Sequence, residues 1–201
     1  MTRTTRTILK EAEDTLFTAQ LGLELLKGKE PKARIAGLRN LVVFGRAVTN
    51  VLQNLRSTVG ESFDEWYQPK VEEMANDQVL KYFYKLRSKI LKQGTVNTFS
   101  SMSLSGNLMA LMQKYQAPPG AKDFFMGDNL GGCGWEVEID EGVTEKYYVD
   151  VPENIEGLDM KIDVHLLDAP AELNEHNIQE LGEHYLGYLS ELVEEAKRVF
   201  G

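Results

Sequence analysis

The chain has 201 residues, 42% of them hydrophobic, which is enough to bury a core in one domain. Its net charge of −9 argues weakly against a general nucleic-acid binder, because most of the surface would repel a polyanion. The single cysteine, Cys133, excludes an internal disulfide and a Cys-rich metal site, and it fits a reducing compartment.

No unbroken apolar run approaches the roughly 18 residues that would span a bilayer. The N-terminus turns acidic before an apolar leader could form. The expectation is a soluble, cytoplasmic protein with no membrane partner. The overall charge hides an asymmetry. Residues 1–94 carry 16 basic and 11 acidic groups, a net of +5, whereas residues 95–201 carry 6 and 20, a net of −14. The asymmetry reads either as uneven helix decoration or as a division of labour, with a phosphate-bearing ligand meeting the first half and a basic protein partner the second.

In chain order, Ile8, Ala12, Leu16, Ala19, Leu23 and Leu26 recur at spacings of three and four and predict a helix over 5–27. Pro31 suits the first residue of the next, about 31–59, closed by Gly60. Leu38, Leu41, Phe44, Val48, Val51, Leu52 and Leu55 cover nearly half its circumference. Val42 and Val43 interrupt the other side, so this helix is expected at the centre. "SFDE" predicts a third helix opened by a capping box between Ser62 and Glu65. Asp77 is the expected N-cap of a fourth, about 78–92, with Gly94 as its stop.

The texture then changes. "TVNTFSSMSLSG" is Ser/Thr-rich without regular apolar spacing, "LMALMQKY" suggests a short helix, and "APPGAK" ends it. In "GGCGWEVEIDEGVTEKYYVDVP" the period drops to two, which predicts a hairpin, and "MKIDVHLL" a third strand. Helical spacing returns in Ile178, Leu181, Tyr185, Leu189, Leu192, Ala196 and Val199. The expected fold is mainly α, one domain over 1–201. An antiparallel four- to five-helix bundle (5–94 and 174–200) is interrupted by a small β-hairpin or three-strand insertion, about 95–173, before the last helix.

On the fourth helix, Val79, Phe83, Leu86 and Ile90 share the core face, and Lys81, Lys85, Lys89 and Lys92 lie nearly opposite. That lysine stripe reads most simply as a solvated face. Arg87 instead falls beside Phe83 and Ile90, on the flank of the buried face. A guanidinium there costs free energy unless it is paired or wet. It needs a carboxylate, a phosphate ligand or a counterpart across an oligomer interface. On the second helix Arg39, Arg46, Asn50 and Gln53 share a polar stripe at spacings of seven, four and three. If the two helices pack side by side, Arg46 and Asn50 line the same groove as Arg87. Arginine forks grip phosphate oxygens bidentately.

The order of features in "FDEWYQPKVEEMANDQVLKYFYKLRSKILKQG", residues 63–94, resembles the HEPN family (higher eukaryotes and prokaryotes nucleotide-binding domain). The resemblance implies a small helical bundle, frequently dimeric. Its nuclease members place a histidine four to six residues after an arginine, and two copies cleave RNA without metal. Carried over, Arg87 matches the arginine and Ser88 the polar position after it, while Lys92 or Gln93 stands where the histidine belongs. An ordinary lysine is neutral only to roughly one part in 2,500 at pH 7, so Lys92 can hold a phosphate but not serve as the base.

The resemblance thus implies a homodimeric module, catalytically degenerate. It would bind RNA or nucleotide phosphate through Arg87, Arg46, Lys92, Asn50 and Ser88, or a protein partner. The alternative is a divergent metal-independent endoribonuclease of toxin or defence type, with His184 brought from the last helix to Arg87.

Other patterns carry less. His176, Glu180 and His184 recur every four residues, but the two histidines diverge by about 80°, so a solvated stripe is the simpler reading than a metal row. "GDNLGGCGW" precedes a strand and lacks the P-loop ending; a flexible entry to the hairpin fits better, and nothing marks Cys133 as a nucleophile. Asp150, Asp159 and Asp163 are candidate cation ligands only by type. No cofactor is expected.

Overall fold

The computed structural model describes residues 3–106, 115–151, 154–155 and 158–201. The helices are α1 (Thr5–Lys27), α2 (Pro31–Leu52), α3 (Arg56–Val59), α4 (Glu61–Asn76), α5 (Gln78–Gln93) and α6 (Ile178–Phe200). The strands are β1 (Thr98–Gly106), β2 (Ala121–Met126), β3 (Cys133–Asp140), β4 (Val143–Val149), β5 (Asn154–Ile155) and β6 (Leu158–Leu166). Two compact units result. The helical unit comprises Met1–Gly28, Ala33–Val96 and Ala169–Gly201; the β unit comprises Lys29–Lys32 and Asn97–Asp168.

The chain is a mixed α/β protein, not the mainly α bundle with a small hairpin insertion that the periodicity predicts. Among the described residues, six strands form two three-stranded antiparallel sheets, ordered β1-β6-β5 and β2-β3-β4. The expected hairpin is present, β3 and β4 joined at Glu141–Gly142, with Trp135 opposite Tyr147. The Ser/Thr-rich stretch, however, is a nine-residue strand paired with β6 along its whole length. Two of its hydroxyls are held by the β2–β3 loop: Thr98 Oγ1 donates to Asn129 O at 2.6 Å and Ser100 Oγ to Gly127 O at 2.5 Å. A strand that buries almost none of its side chains needs no apolar alternation. "AKDFFM" is likewise a strand, bulged between Ala121 and Asp123. The short helix expected within "LMALMQKY" falls largely outside the described residues.

In the helical unit, α6 is the central element. Glu183 meets Lys27 at 2.8 Å and Lys197 meets Glu13 at 2.7 Å, so α1 runs antiparallel to α6. On another side, Trp66 Nε1 donates to Glu195 at 2.9 Å and Tyr188 Oη to Glu73 at 3.2 Å, which sets α4 antiparallel to it as well. The six expected apolar positions of α1 are all buried, as are Leu38, Leu41, Val48, Leu52 and Leu55 of the second helical stretch. Phe44 and Val199, read as core, are 38% and 53% exposed. Periodicity assigns a direction on the helix, not a neighbour to cover it. By length and composition the stretch Pro31–Val59 would also pass as a membrane span; here Leu38, Leu41, Val42, Val48, Leu52 and Leu55 of it are buried within the protein.

The expected capping box does not form. Gly60, at φ 64° and ψ −136°, turns the chain so that α4 begins at Glu61, and the Ser62 hydroxyl sits inside the first turn, donating to Val59 O at 3.2 Å. Across that kink Arg56 grips Asp64 at 2.6 Å. Asp77 does cap α5, accepting from the amides of Val79 and Leu80 at 2.8 and 3.0 Å, and Gly94 closes it at φ 67°.

Candidate functional site

Helices α2 and α5 carry nine cations and no carboxylate: Lys32, Arg34, Arg39 and Arg46 on one, Lys81, Lys85, Arg87, Lys89 and Lys92 on the other. Two contacts join them. Arg39 Nη2 donates to Gly94 O at 2.6 Å, and the Arg46 guanidinium lies 5.2 Å above the Tyr84 ring. Chain direction on the two helices is therefore opposed, and a seam runs between the contacts. Ten residues separate Tyr84 from Gly94, about 15 Å of helix.

Arg87 falls inside that interval, about 4.5 Å along the axis from Tyr84 and about 20° in angle from Leu80, two turns earlier. Its Nε is buried and has no hydrogen-bond partner. Among the described residues, no carboxylate is within ion-pairing distance of Arg39, Arg46, Lys81, Lys85, Arg87 or Lys92. Elsewhere in the same unit Lys10, Lys27, Arg56, Lys70 and Lys197 are each matched by an acid. An unmatched guanidinium flanking a core is the costly arrangement, and an anionic ligand would relieve it.

At the Tyr84 end the seam opens into a cavity of about 550 Å³. Arg46, Thr49 and Gln53 of the α2 stretch, Tyr67 and Met74 of α4, Leu80, Lys81 and Tyr84 of α5, and Tyr185 and Leu189 of α6 line it. Thr49, 2% exposed, holds the guanidinium of Arg46 through its hydroxyl and donates to Arg46 O at 2.9 Å. Tyr185 is 3% exposed, and its hydroxyl makes no hydrogen bond to any described residue. Burial raises its pKa well above the ordinary tyrosine value, although the Arg46 charge pulls the other way. It is a donor at any physiological pH. Gly45 makes the room: a methyl there would overlap the Tyr185 ring.

Of the sequence-predicted residues, the structure sets Arg46 and Arg87 on the seam, with Arg46 alone in the cavity wall. Asn50 is exposed and outside the cavity lining. Ser88 Oγ faces Tyr84 O at 3.5 Å. Lys92 is exposed in the last turn of α5, about 140° around from Arg87. Sequence reasoning missed Thr49, Tyr67, Tyr84 and Tyr185. An aromatic on the polar flank of a basic helix, Tyr84, was the one available signal.

The histidines are engaged elsewhere. His184 Nε2 is 2.6 Å from Asp77 Oδ2, ten residues or about 15 Å of helix from Arg87 in the same chain. His176 pairs with Glu180 at 3.5 Å, and His165 stacks on Phe99 in the β unit. No three His, Cys, Asp or Glu among the described residues gather as a metal site. Of the aspartates, Asp150 pairs with Lys29 at 3.9 Å and Asp163 with Lys161 at 2.8 Å. The Gly-rich loop is ordered by Asp128, which accepts from the amides of Leu130 and Gly132 and from Tyr148 and Lys146. Cys133 beside it is buried.

The Asp77–His184 contact has a pH signature. Burial alone would raise the Asp77 carboxyl, but the Leu80 amide, His184 and the Val79 amide outweigh it and hold the pKa below the usual range. A lowered folded pKa contributes stability above the unfolded value, about 3.9, and that contribution is lost as pH falls through the folded value. Urea unfolding at pH 7 and pH 3 will show Asp77→Ala costing about 1 kcal/mol at pH 7 and less in acid. Asp77→Asn keeps the cap and flattens the acid dependence.

A family model for bacteriophage lambda protein ea47 matches residues 29–197. The chain belongs to that family. No curated protein and no solved structure matches it significantly.

Proposed function

We propose that this member of the Ea47 family is a binding module that holds the phosphates of RNA or a nucleotide along the α2/α5 seam, with no catalysis of its own. The observation that carries this is six cations, Arg39, Arg46, Lys81, Lys85, Arg87 and Lys92, on two adjoining helices that hold no acid, in a chain whose net charge is −9. Arg87 has no carboxylate partner and its Nε is buried, so its terminal nitrogens are the groups that an incoming phosphate oxygen would meet. The separation of His184 from Arg87 in one chain supports binding over cleavage, since no imidazole stands ready to move protons there.

The test is fluorescence anisotropy of a labelled single-stranded RNA at low salt. Hydrogen bonds to charged groups contribute about 1.5–3 kcal/mol each, so the double variant Arg46→Gln/Arg87→Gln loses at least about 100-fold in affinity. Lys10→Gln, on α1, leaves it unchanged. Equal binding by the double variant, shown to be folded, overturns the proposal.

A further inference from the structure

Resting on that reading, we infer that the cavity at the Tyr84 end of the seam takes one unpaired nucleobase, so that the ligand is single-stranded and not duplex. The volume, about 550 Å³, is that of a small-molecule pocket, and phosphate contact alone needs no pocket. Its walls are those of a base site. Tyr67, Tyr84 and Tyr185 offer aromatic surface, and Leu80 and Leu189 supply apolar contact.

The polar groups also await a partner. The Tyr185 hydroxyl, on a side chain 97% buried, has no acceptor among the described residues. The Gln53 amide makes only a 3.4 Å contact to Tyr67 Oη. A hydroxyl donor and an amide carrying both donor and acceptor match the edge of a base. A paired base cannot present that edge without leaving its stack. Arg46 stands in the same wall, where it can bond the phosphate next to the inserted nucleotide.

The experiment compares three ligands of equal phosphate number: a single-stranded RNA 12-mer, the corresponding abasic ribose-phosphate 12-mer, and an RNA duplex. The base-bearing strand binds at least about five-fold more tightly than the abasic one, the worth of one base stacked on an aromatic ring, and more tightly than the duplex. Tyr185→Phe removes a hydroxyl that no protein group uses, so it leaves folding intact and lowers affinity for the base-bearing strand about five-fold. Affinity for the abasic strand stays the same.

Equal affinity for base-bearing and abasic strands, or indifference of the base-bearing strand to Tyr185→Phe, defeats the base-site inference while leaving the phosphate seam standing. Tighter binding of the duplex defeats it too. Failure of all three ligands to bind defeats both.

Discussion

Gly37→Ala will cost the helical unit at least about 3 kcal/mol, or prevent it from folding. A Cβ at Gly37 would sit 2.5 Å from Gly22 O and 2.7 Å from Leu26 N, and one at Gly22 would sit 2.6 Å from Leu41 N and 2.7 Å from Gly37 O. These are backbone atoms, so no side chain can rotate away. The only relief is to push α1 and α2 apart. That would open gaps among Leu26, Leu38 and Leu41, all fully buried at this crossing. Overpacking against movable side chains costs about 1–3 kcal/mol; against two main chains the upper end is the floor. Urea unfolding measures it. Gly187→Ala is the control, a glycine in α6 with nothing within 4 Å of an added methyl, and it should be neutral or stabilising by about 0.5–1 kcal/mol. A Gly37→Ala protein with the wild-type midpoint would show that the helices do not meet backbone to backbone.

The same crossing illustrates what the sequence could and could not convey. Strict three- and four-residue spacing made α1 readable to the residue at both ends, and Asp77 and Gly94 were readable because a cap acts on amides within its own turn. Gly22 and Gly37 carry no periodic signal; their role exists only once two helices touch. The Ser62 box failed for a related reason, since the positive φ of Gly60 moved the helix start. Meanwhile the capping box that does form, Asn177 with Glu180 at the start of α6, uses the same spacing 115 residues later.

The sheets were harder still. Strand detection relies on one dry face, and β1 is exposed along most of its length, held by its ladder to β6 and a few hydroxyl bonds. The site divides along the same line. Arginine type and angle pointed to Arg46 and Arg87. The cavity needed Tyr185, which lies 139 positions after Arg46 in the chain and is held against Gly45 by tertiary packing alone.

RNA affinity will fall steeply with salt, because the seam binds through charge. If phosphates are held by unmatched cations, each one neutralised releases counterions and steepens the fall of log K with log salt by about 0.7 for a single strand. With Arg46, Lys81 and Arg87 engaged, the slope is about −2, and a ten-fold rise in salt weakens binding by roughly 100-fold. Neighbouring lysines on α5 would make it steeper, never shallower. Arg46→Gln/Arg87→Gln should bring the slope to about −0.7. The decisive measurement is therefore a titration of wild-type protein with the RNA 12-mer across that salt range. A slope of about −2 or steeper is the expected result; a slope near zero, or one that the double substitution leaves unchanged, contradicts the account.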